Sequence, residues 1–454
     1  MIDQALLAKY NVPVPRYTSY PTVPYWNETI EVGIWKENFI SQFHKGNKKD
    51  GISLYIHLPF CESLCTYCGC NKKITTNHNV ENEYIKAIKK EWDLYVSLMN
   101  ETPIIRELHL GGGTPTFFSP KHLEELLFYI LGKSIVHAEH EFSFEGHPNN
   151  TTIEHLQTLY NIGFRRVSFG VQDNDPEVQR IINRIQPFEN VKKATEAARR
   201  IGYKSVNFDL IYGLPKQTME SIRNTIIQTI SLLPDRVAFY SYAHVPWTSK
   251  GQRLFDENDL PGAKEKLDLY IAGKTLFLEH GYHDIGMDHF ALENDDLYKA
   301  QTEGRLHRNF MGYTTQNSAM LIGLGVSAIS DTGNAYAQNI KTVHDYYEYI
   351  NADVLPVQKG YFHTHEDISF RKYILDISCK GKTVFSYQDM SVIKKYVLPK
   401  LLDIQDDGLF ELSEDTLELT STGKHFIRNI CSAFDLYLVK STDSSGKKPF
   451  SKAI

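Results

Sequence analysis

The sequence predicts an α/β fold, in which a partial (β/α)6, TIM-like barrel precedes a small, mostly helical, winged-helix-like C-terminal domain. Between residues 50 and 245, six short apolar, β-prone runs alternate with amphipathic helical segments. Such alternation indicates parallel strands, because each parallel pair needs a crossover connection. No glycine-rich dinucleotide fingerprint follows the first run, which favours a barrel over a doubly wound sheet. Polar and small residues come just past the strand ends, where barrels hold their chemistry.

The composition limits the class of protein. The chain has 454 residues, 42% of them hydrophobic, and a formal net charge of −6. An acidic balance argues against a broad nucleic-acid interface. No run of about 18 apolar residues predicts a membrane span, and the first residues lack the features of a secretory signal. Six cysteines in so long a chain favour a reducing, cytoplasmic setting, in which clustered cysteines bind metal more often than they form disulfides.

The predicted elements follow one another with short connections. Strands are expected over 52–58, 106–110, 139–145, 166–172, 205–212 and 236–245, and helices over 80–98, from about 120, over 152–162, within 175–201, over 217–231 and over 262–280. The helix over 80–98 shows the clearest signal, because Ile85, Ile88, Trp92 and Tyr95 recur at the spacing of one helical face. A glycine-rich apolar stretch at 321–330 fits either a buried strand or backbone that passes close to a ligand.

Three regions are expected. Residues 1–40 form an irregular aromatic arm, either near the active site or merely packed on the surface; residues 41–361 form the barrel and its extension; residues 362–454 form the C-terminal domain. The last region combines helices over 365–379 and 387–404, a wing-like hairpin over 408–420 and a final helix, with Cys379 and Cys431 in its core. The charge of the chain favours a packing or lid role for it over DNA binding. The polar tail after Lys440 is expected to be mobile.

Four cysteines crowd into ten residues directly after the first strand: Cys61, Cys65, Cys68 and Cys70. Structural thiols gain nothing from such crowding. A zinc knuckle is a second possibility, although zinc sites usually draw on two separated pairs. The third is an iron–sulfur cluster on Cys61-x3-Cys65-x2-Cys68. Three thiolates leave one iron of a [4Fe–4S] cube open to a substrate or cofactor.

The Cx3Cx2C loop, with Tyr67 before its third cysteine, resembles that of the radical S-adenosylmethionine superfamily, and so does the turn Gly111-Gly-Gly-Thr-Pro115 after the second strand. The resemblance implies a partial barrel of the radical S-adenosylmethionine type. It also implies that the open iron chelates S-adenosylmethionine. One electron from the cluster then cleaves the sulfonium to methionine and a 5′-deoxyadenosyl radical.

Further motifs are similar to those of one family, the oxygen-independent coproporphyrinogen III oxidases (dehydrogenases). They are Cys70 and the segments 16–22, 170–173, 207–217, 286–290, 307–316 and 428–431, so that the similarity runs from the arm to the final helix. The family's reaction belongs to haem biosynthesis. It converts the ring A and B propionates of coproporphyrinogen III to vinyl groups by oxidative decarboxylation and gives protoporphyrinogen IX. A one-electron reductant such as flavodoxin and a monomeric, cytoplasmic enzyme are expected with it.

The resemblance also implies roles for individual residues. Cys61, Cys65 and Cys68 match the cluster ligands, whereas Cys70 matches a family cysteine that is not a ligand. The family binds two S-adenosylmethionine molecules. The matching contacts are Tyr55, Gly112, Glu145 and Ile329 for the first molecule, and Tyr67, Gly113, Thr114, Gln172, Arg184, Asp209 and Ala243 for the second. One departure is Gly146-His147, where the family commonly has Val-Asp, which affects the local backbone and any acidic role there.

Candidates for the substrate contacts follow from its chemistry. Coproporphyrinogen carries four carboxylates, so basic groups should line its pocket. Arg16, His307 and Arg308 are the candidates, with a surface role as the alternative for each. Two rival functions remain. Haem chaperones share the barrel and the cysteine loop, but they typically have an aromatic residue in place of Cys70 and lack the arm motif. A zinc-dependent regulator would use the winged C-terminal segment.

Overall fold

Nineteen strands occur in the part of the chain that the computed structural model describes, which is residues 4–247, 249–441 and 450. In chain order they are β1 (Ile52–Leu58), β2 (Phe60–Cys61), β3 (Lys73–Ile74), β4 (Ile104–Gly112), β5 (Ile135–Gly146), β6 (Arg166–Gln172), β7 (Ser205–Tyr212), β8 (Arg236–Ser241), β9 (Tyr282–Gly286), β10 (His289–Leu292), β11 (His307–Asn309), β12 (Gly312–Thr314), β13 (Met320–Leu324), β14 (Ile329–Asp331), β15 (Ala335–Asn339), β16 (Val357–Phe362), β17 (Lys382–Val384), β18 (Phe410–Leu412) and β19 (Thr416–Leu419).

The helices fill the connections between the strands. In chain order they are α1 (Gln4–Tyr10), α2 (Val32–Asp50), α3 (Val80–Leu98), α4 (Pro120–Leu131), α5 (Ile153–Ile162), α6 (Pro176–Ile181), α7 (Phe188–Ile201), α8 (Met219–Ser231), α9 (Ala263–Glu279), α10 (Asp296–Thr302), α11 (Val343–Asn351), α12 (His365–Lys380), α13 (Met390–Val392), α14 (Leu398–Gln405), α15 (Ile427–Ala433) and α16 (Leu436–Lys440). No helix among the described residues is both long enough and apolar enough to cross a membrane.

One twelve-stranded sheet forms the body of the molecule, in the order β16-β15-β14-β13-β1-β4-β5-β6-β7-β8-β10-β9. The pairs from β13 through β1 and β4 to β8 are all parallel. The predicted six strand–helix units are therefore confirmed as a partial barrel, and β13 adds a seventh parallel strand. Antiparallel strands extend both edges, because short hairpin connections replace the helical crossovers there.

The core lies between the sheet and the helices. In β1, Leu54 and Ile56 are fully buried, and Tyr55 between them is half-buried and points to the opposite side. Successive side chains of a strand point to opposite faces, so every second side chain of β1 lies inside the barrel. The stretch at 321–330 resolves into a fully buried strand, β13, and the start of β14. Gly323 is required there because a Cβ would lie 2.5 Å from the carbonyl oxygen of Ile329.

The N-terminal region is more ordered than predicted. Residues 32–40 belong to α2, so the irregular arm ends before Val32 rather than at residue 40. Trp35, Phe39 and Phe43 are buried at a spacing of four residues, a helical signal that the sequence does contain. The arm itself packs onto the C-terminal domain, where the Arg428 side chain donates to the carbonyl oxygens of Val14 and Pro15.

The C-terminal region has the predicted hairpin, β18 and β19, with β17 as a third strand, and both Cys379 and Cys431 are buried. The helix expected over 387–404 is interrupted by a π-helical turn at 393–397, because Pro399 lacks the N–H that would continue the ladder. The final helix is also broken: Asp435 ends α15 and its carboxylate caps α16 through the amides of Tyr437 and Leu438. Most of the tail after Lys440 lies outside the described residues.

Candidate active site

The cysteine loop leaves the end of β1 and is fixed by two separate parts of the barrel. Asn183 donates to the carbonyl of Leu64 at 2.7 Å, and the amide of Thr66 donates to the carbonyl of Ile182 at 2.9 Å. On the other side, the Gln252 amide donates to the carbonyl of Tyr67 at 3.0 Å. These bonds tie the backbone of the loop to the segments that follow β6 and β8.

Two of the three spaced thiols have a donor close to the sulfur, and a cation lies beside the third cysteine. The Thr114 hydroxyl lies 3.3 Å from the Cys61 sulfur, and Nη1 of the half-buried Arg184 lies 3.6 Å from the Cys65 sulfur. Beside Cys68, the Lys72 ammonium donates to the main-chain carbonyl at 3.0 Å. Donors and cations of this kind stabilise thiolates, the form that binds metal.

The fourth thiol differs from the other three. Cys70 is exposed and is hydrogen-bonded to Cys68. This contact, together with Lys72, lowers the pKa of Cys68, whereas the same contact raises the pKa of Cys70. Burial raises the pKa of Cys61 to about 11 in the metal-free loop. These opposite shifts distinguish Cys70 from Cys68.

The spacing of the thiols suits a cluster better than a single ion. Among the described residues, no three cysteine sulfurs lie mutually within 4.8 Å. A tetrahedral zinc ion with Zn–S bonds of about 2.3 Å would need its sulfurs about 3.8 Å apart. A [4Fe–4S] cube holds its ligands on separate corners, farther apart than the ligands of one ion. As placed, three of these sulfurs are therefore too far apart to bind one zinc ion together.

The glycine turn after β4 closes against this loop. Gly113 donates its amide to Leu58, and a Cβ on it would lie 2.4 Å from the Pro59 carbonyl oxygen and 3.0 Å from the Cys61 sulfur. Gly112 has a φ of +119° and its amide donates to the Glu145 carboxylate at 3.2 Å. Only glycine fits these two positions, so the turn brings bare backbone to the edge of the cysteine loop.

Two imidazoles lie between Tyr55 and Glu145. His57 donates from Nε2 to the Asn71 carbonyl at 2.9 Å, so its Nδ1 accepts from the Tyr55 hydroxyl at 3.1 Å. His109 stacks on Tyr55 and places its Nε2 3.5 Å from Glu145. Ile329 lies beside them, because Tyr55 pairs with Gly323, against which the Ile329 backbone rests.

A second cluster of polar side chains lies at the ends of β6 and β7. Asp209 accepts from Ser168 and Asn207, both at 2.9 Å. Burial, followed by the negative charge of Glu145, raises the pKa of Asp209 to about 6. A φ of +66° turns Gln172 out of the strand. Beside it, a Cβ on Gly170 would meet Gln172 and Arg184 at 2.7 and 2.9 Å.

Tyr67 and Ala243 complete this cluster at the ends of β6 and β7. Their carbonyl oxygens both accept from the Gln252 amide, at 3.0 and 3.1 Å, so the cysteine loop and the end of β8 are joined by one buried side chain. Ala243 lies in the loop after β8, which ends at Ser241 rather than at residue 245. Gln252, His109, Ser168 and Asn207 are not among the site residues predicted from the sequence. Only the last three carry a signal, because they lie on predicted strands at inward positions.

The sequence departs from the family pattern at Gly146-His147, and the turn after β5 still forms there. Gly146 is tightly packed, because a Cβ there would lie 2.7 Å from the Thr151 hydroxyl. His147 begins a turn in which its carbonyl accepts from the amides of Asn150 and Thr151. Burial and the charge of Arg184 lower the pKa of His147 to about 3, so its imidazole is neutral at physiological pH. The position therefore carries no negative charge in this chain.

The three basic residues that are candidates for substrate contacts differ in their surroundings. Arg16 is half-buried, donates to the Ser241 carbonyl at 3.2 Å and lies 3.4 Å from Asp288. His307 is half-buried, and burial lowers its pKa to about 4. Arg308 is 5% exposed and donates to the Arg16 carbonyl at 3.4 Å, but its Nε and Nη1 have no partner among the described residues. Arg16 and Arg308 thus come together beside the end of β8.

The comparisons agree with this geometry. The family model of the Radical SAM superfamily matches residues 55–227. The oxygen-independent coproporphyrinogen III oxidase of Helicobacter pylori (strain ATCC 700392 / 26695) is 39% identical over 100% of this chain and 99% of its own length. The enzyme of the same name from Escherichia coli K12 is 37% identical over 96% of this chain and 95% of its own. The solved structure of coproporphyrinogen III oxidase (HemN) from Escherichia coli, described as a radical SAM enzyme, superimposes with a TM-score of 0.88 at 36% identity, covering 96% and 100% of the two chains.

A parallel barrel with three spaced thiols at its mouth and a glycine turn against them defines a radical S-adenosylmethionine enzyme, which uses a [4Fe–4S] cluster and S-adenosylmethionine. The similarity over the full length is more specific. The chain belongs to the family of oxygen-independent coproporphyrinogen III oxidases.

Proposed function

We propose that this enzyme carries out the anaerobic oxidative decarboxylation of coproporphyrinogen III to protoporphyrinogen IX. For each vinyl group formed, the ring A or ring B propionate loses one hydrogen atom from its β-carbon, one electron and carbon dioxide. The observation that carries the proposal is the convergence of Cys61, Cys65 and Cys68 with the glycine turn at one barrel mouth, in a chain similar to the named enzymes over its whole length.

In this proposal Cys61, Cys65 and Cys68 hold a [4Fe–4S] cluster, and Cys70 stays a thiol beside them. Thr114 and Arg184 donate toward the cysteine sulfurs and stabilise their negative charge. When bound, the cluster and S-adenosylmethionine supply the one-electron chemistry that removes the substrate hydrogen. The residues of the chain position the reactants and keep water from them.

Two S-adenosylmethionine molecules are part of the proposal. Tyr55, Gly112, Glu145 and Ile329 would contact the first, and their common location around the β1 and β4 ends supports this. Tyr67, Gly113, Thr114, Gln172, Arg184, Asp209 and Ala243 would contact the second. Carboxylates such as Glu145 and Asp209 accept from ribose hydroxyls or an ammonium group, and Arg184 can hold a carboxylate.

Arg308 is the residue that we propose as a propionate contact, ahead of Arg16 and His307. A buried guanidinium with two unpartnered donors is costly unless a ligand supplies an acceptor. The nearby His289 also has a buried Nδ1 without a partner among the described residues, and burial and Arg308 lower its pKa to about 3. A propionate carboxylate would satisfy both side chains. Arg16, which already has Asp288, would add positive charge at the rim.

Replacing Arg308 by glutamine is expected to weaken binding of coproporphyrin III, the coloured oxidised form with the same four carboxylates, by about 10- to 100-fold, because a charge-assisted hydrogen bond is lost. Fluorescence titration of the cluster-loaded protein measures this directly. Arg305→Gln is the matched control, since Arg305 is exposed and paired with Glu303. Equal affinities for the two variants would rule out the Arg308 contact.

The function itself is tested by anaerobic turnover of coproporphyrinogen III with S-adenosylmethionine and dithionite. We expect carbon dioxide and vinyl product. A haem chaperone would instead bind haem tightly and release no carbon dioxide, and a zinc-dependent regulator would take up zinc but develop no cluster absorbance on anaerobic reconstitution with iron and sulfide. We further propose a monomeric enzyme of the cytoplasm that receives its electron from a carrier such as flavodoxin.

A further inference from the structure

Two segments that match the family motifs end on a buried polar side chain that has no role in the site described above. They are residues 170–173, which end on Asp173, and residues 207–217, which end on Gln217. The two residues are 0% and 6% exposed. Burying a carboxylate or a carboxamide is costly unless its polar atoms are hydrogen-bonded, so the partners of these two side chains indicate what they stabilise.

The Gln217 carboxamide joins the end of β7 to the turn that follows β6. Its Oε1 accepts from the amide of Gly213 at 2.6 Å, and its Nε2 donates to the carbonyl of Ile211 at 2.8 Å. The same Nε2 donates to Oδ2 of Asp173 at 2.5 Å. Both hydrogens of the amide are thus used, one on each of two strand ends that are paired in parallel. Gln217 therefore fixes the ends of β6 and β7 relative to each other.

Asp173 extends this connection into the turn after β6. Its Oδ1 accepts from the amide of Asp175 at 2.7 Å and from the Thr225 hydroxyl at 2.9 Å. Its main-chain carbonyl accepts from Nε2 of Gln179 at 2.9 Å. The carbonyl of Gln179 in turn accepts from the amide of Arg184 at 2.8 Å. A continuous series of hydrogen bonds therefore runs from Asp173 to Arg184.

Three of the contacts proposed for the second S-adenosylmethionine lie on the segments that this pair joins. Gln172 directly precedes Asp173 and has a φ of +66°, an uncommon conformation that persists only where the surrounding structure fixes it. Arg184 lies at the end of the turn, with Nη2 2.5 Å from the Gly170 carbonyl oxygen. Asp209 lies on β7. Loss of the bond between the pair would therefore let Gln172 and Arg184 shift relative to Asp209.

We propose that Gln217 and Asp173 form a positioning pair for the second S-adenosylmethionine. Neither side chain is assigned a contact with the cofactor or the cluster; the pair fixes the strand ends that carry the contacts of the second molecule. The inference rests on the proposed function, which assigns those contacts. The contacts proposed for the first molecule lie on other strands, β1, β4, β5 and β14. Loss of the pair should therefore affect the second molecule alone.

Two variants of the pair test this role. Gln217→Leu removes the hydrogen bonds of the carboxamide at similar volume. Asp173→Asn is milder, because it keeps the volume and the acceptor at Oδ1 but sets an NH₂ group against that of Gln217. The matched control is Gln301→Leu, since the Gln301 amide also donates to strand-end carbonyls, those of Asp284 at 3.2 Å and Ile285 at 2.6 Å, on the edge strand β9.

The measurement is the number of S-adenosylmethionine molecules bound per chain by the cluster-loaded protein. Anaerobic equilibrium dialysis with labelled S-adenosylmethionine gives this number and the affinity of each site without any decarboxylation. Mössbauer spectroscopy of the oxidised cluster shows separately whether a molecule occupies the open iron, and iron analysis shows whether the cluster is retained. A general loss of stability would lower the thermal midpoint without separating the two sites.

We expect two molecules per chain in the wild type and in Gln301→Leu. In Gln217→Leu the second molecule should bind at least about 10-fold more weakly, because small displacements of positioning groups have large effects, while the open-iron signal stays unchanged. Asp173→Asn should show the same selective loss to a smaller extent. Wild-type affinity at the second site in both pair variants, loss of iron or of the open-iron signal in Asp173→Asn, or a single molecule in the wild type would overturn the assignment. Failure of the proposed function is distinct, since it would show as a wild type that binds two molecules but forms no product.

Discussion

Cys61→Ala is expected to abolish both the iron content and the activity. The wild-type protein should hold about four irons and four sulfides per chain after anaerobic reconstitution, as a [4Fe–4S] cluster requires. Removing one of three ligands leaves two, too few to keep the cube on the protein. The same loss is expected for Cys65→Ala and Cys68→Ala, and iron analysis with cluster absorbance measures it.

Cys70→Ser is the matched control on the same loop. Cys70 is exposed, and its contact with Cys68 raises the pKa of its thiol, so its replacement should leave the iron content within about a quarter of the wild-type value. Iron loss in Cys70→Ser but not in Cys61→Ala would reverse the assignment of ligands. Loss in all four variants would instead indicate a site that uses four thiolates.

Gly113→Ala is expected to be almost as damaging, although it removes no ligand. The added Cβ would lie 2.4 Å from the Pro59 carbonyl oxygen, a backbone atom that cannot move alone, and 3.0 Å from the Cys61 sulfur. Overpacking of this kind costs about 1–3 kcal/mol and would push the glycine turn away from the loop. We expect at least a 100-fold loss of turnover and a lower thermal midpoint.

Gly69→Ala is the control for Gly113→Ala. Gly69 lies in the cysteine loop, and a Cβ on it would meet no atom within 4 Å. Turnover and thermal midpoint should both stay close to the wild-type values. A Gly113→Ala enzyme with normal turnover would show that the close approach of this turn to Cys61 is not needed for the reaction.

The barrel could be predicted from the sequence because the residues that indicate each strand are neighbours in the chain. Strands such as β6 and β7 are bounded by glycine, proline or polar residues, and buried apolar residues alternate with half-buried ones along much of their length. The cysteine loop is equally local, since its spacing is fixed within ten residues. Both features could therefore be predicted without knowledge of any long-range contact.

What the sequence could not predict depends on distant contacts. Gln252 joins Ala243 to Tyr67, which lies 185 residues before Gln252 in the chain, and no periodic pattern marks it. The break at Asp435 depends on a capping carboxylate that also accepts from Tyr17 in the arm at 3.2 Å. Arg308 is set apart from Arg16 only by its unpartnered donors, which become apparent after both have been placed in three dimensions.

The central claim is that this chain removes a hydrogen atom from a substrate propionate. Anaerobic turnover of coproporphyrinogen III deuterated at the propionate β-carbons tests it most directly, with mass spectrometry of the 5′-deoxyadenosine formed. We predict deuterium in the 5′-deoxyadenosine, together with one carbon dioxide for each vinyl group. Unlabelled 5′-deoxyadenosine alongside vinyl product, or tight haem binding with no carbon dioxide at all, would contradict the claim.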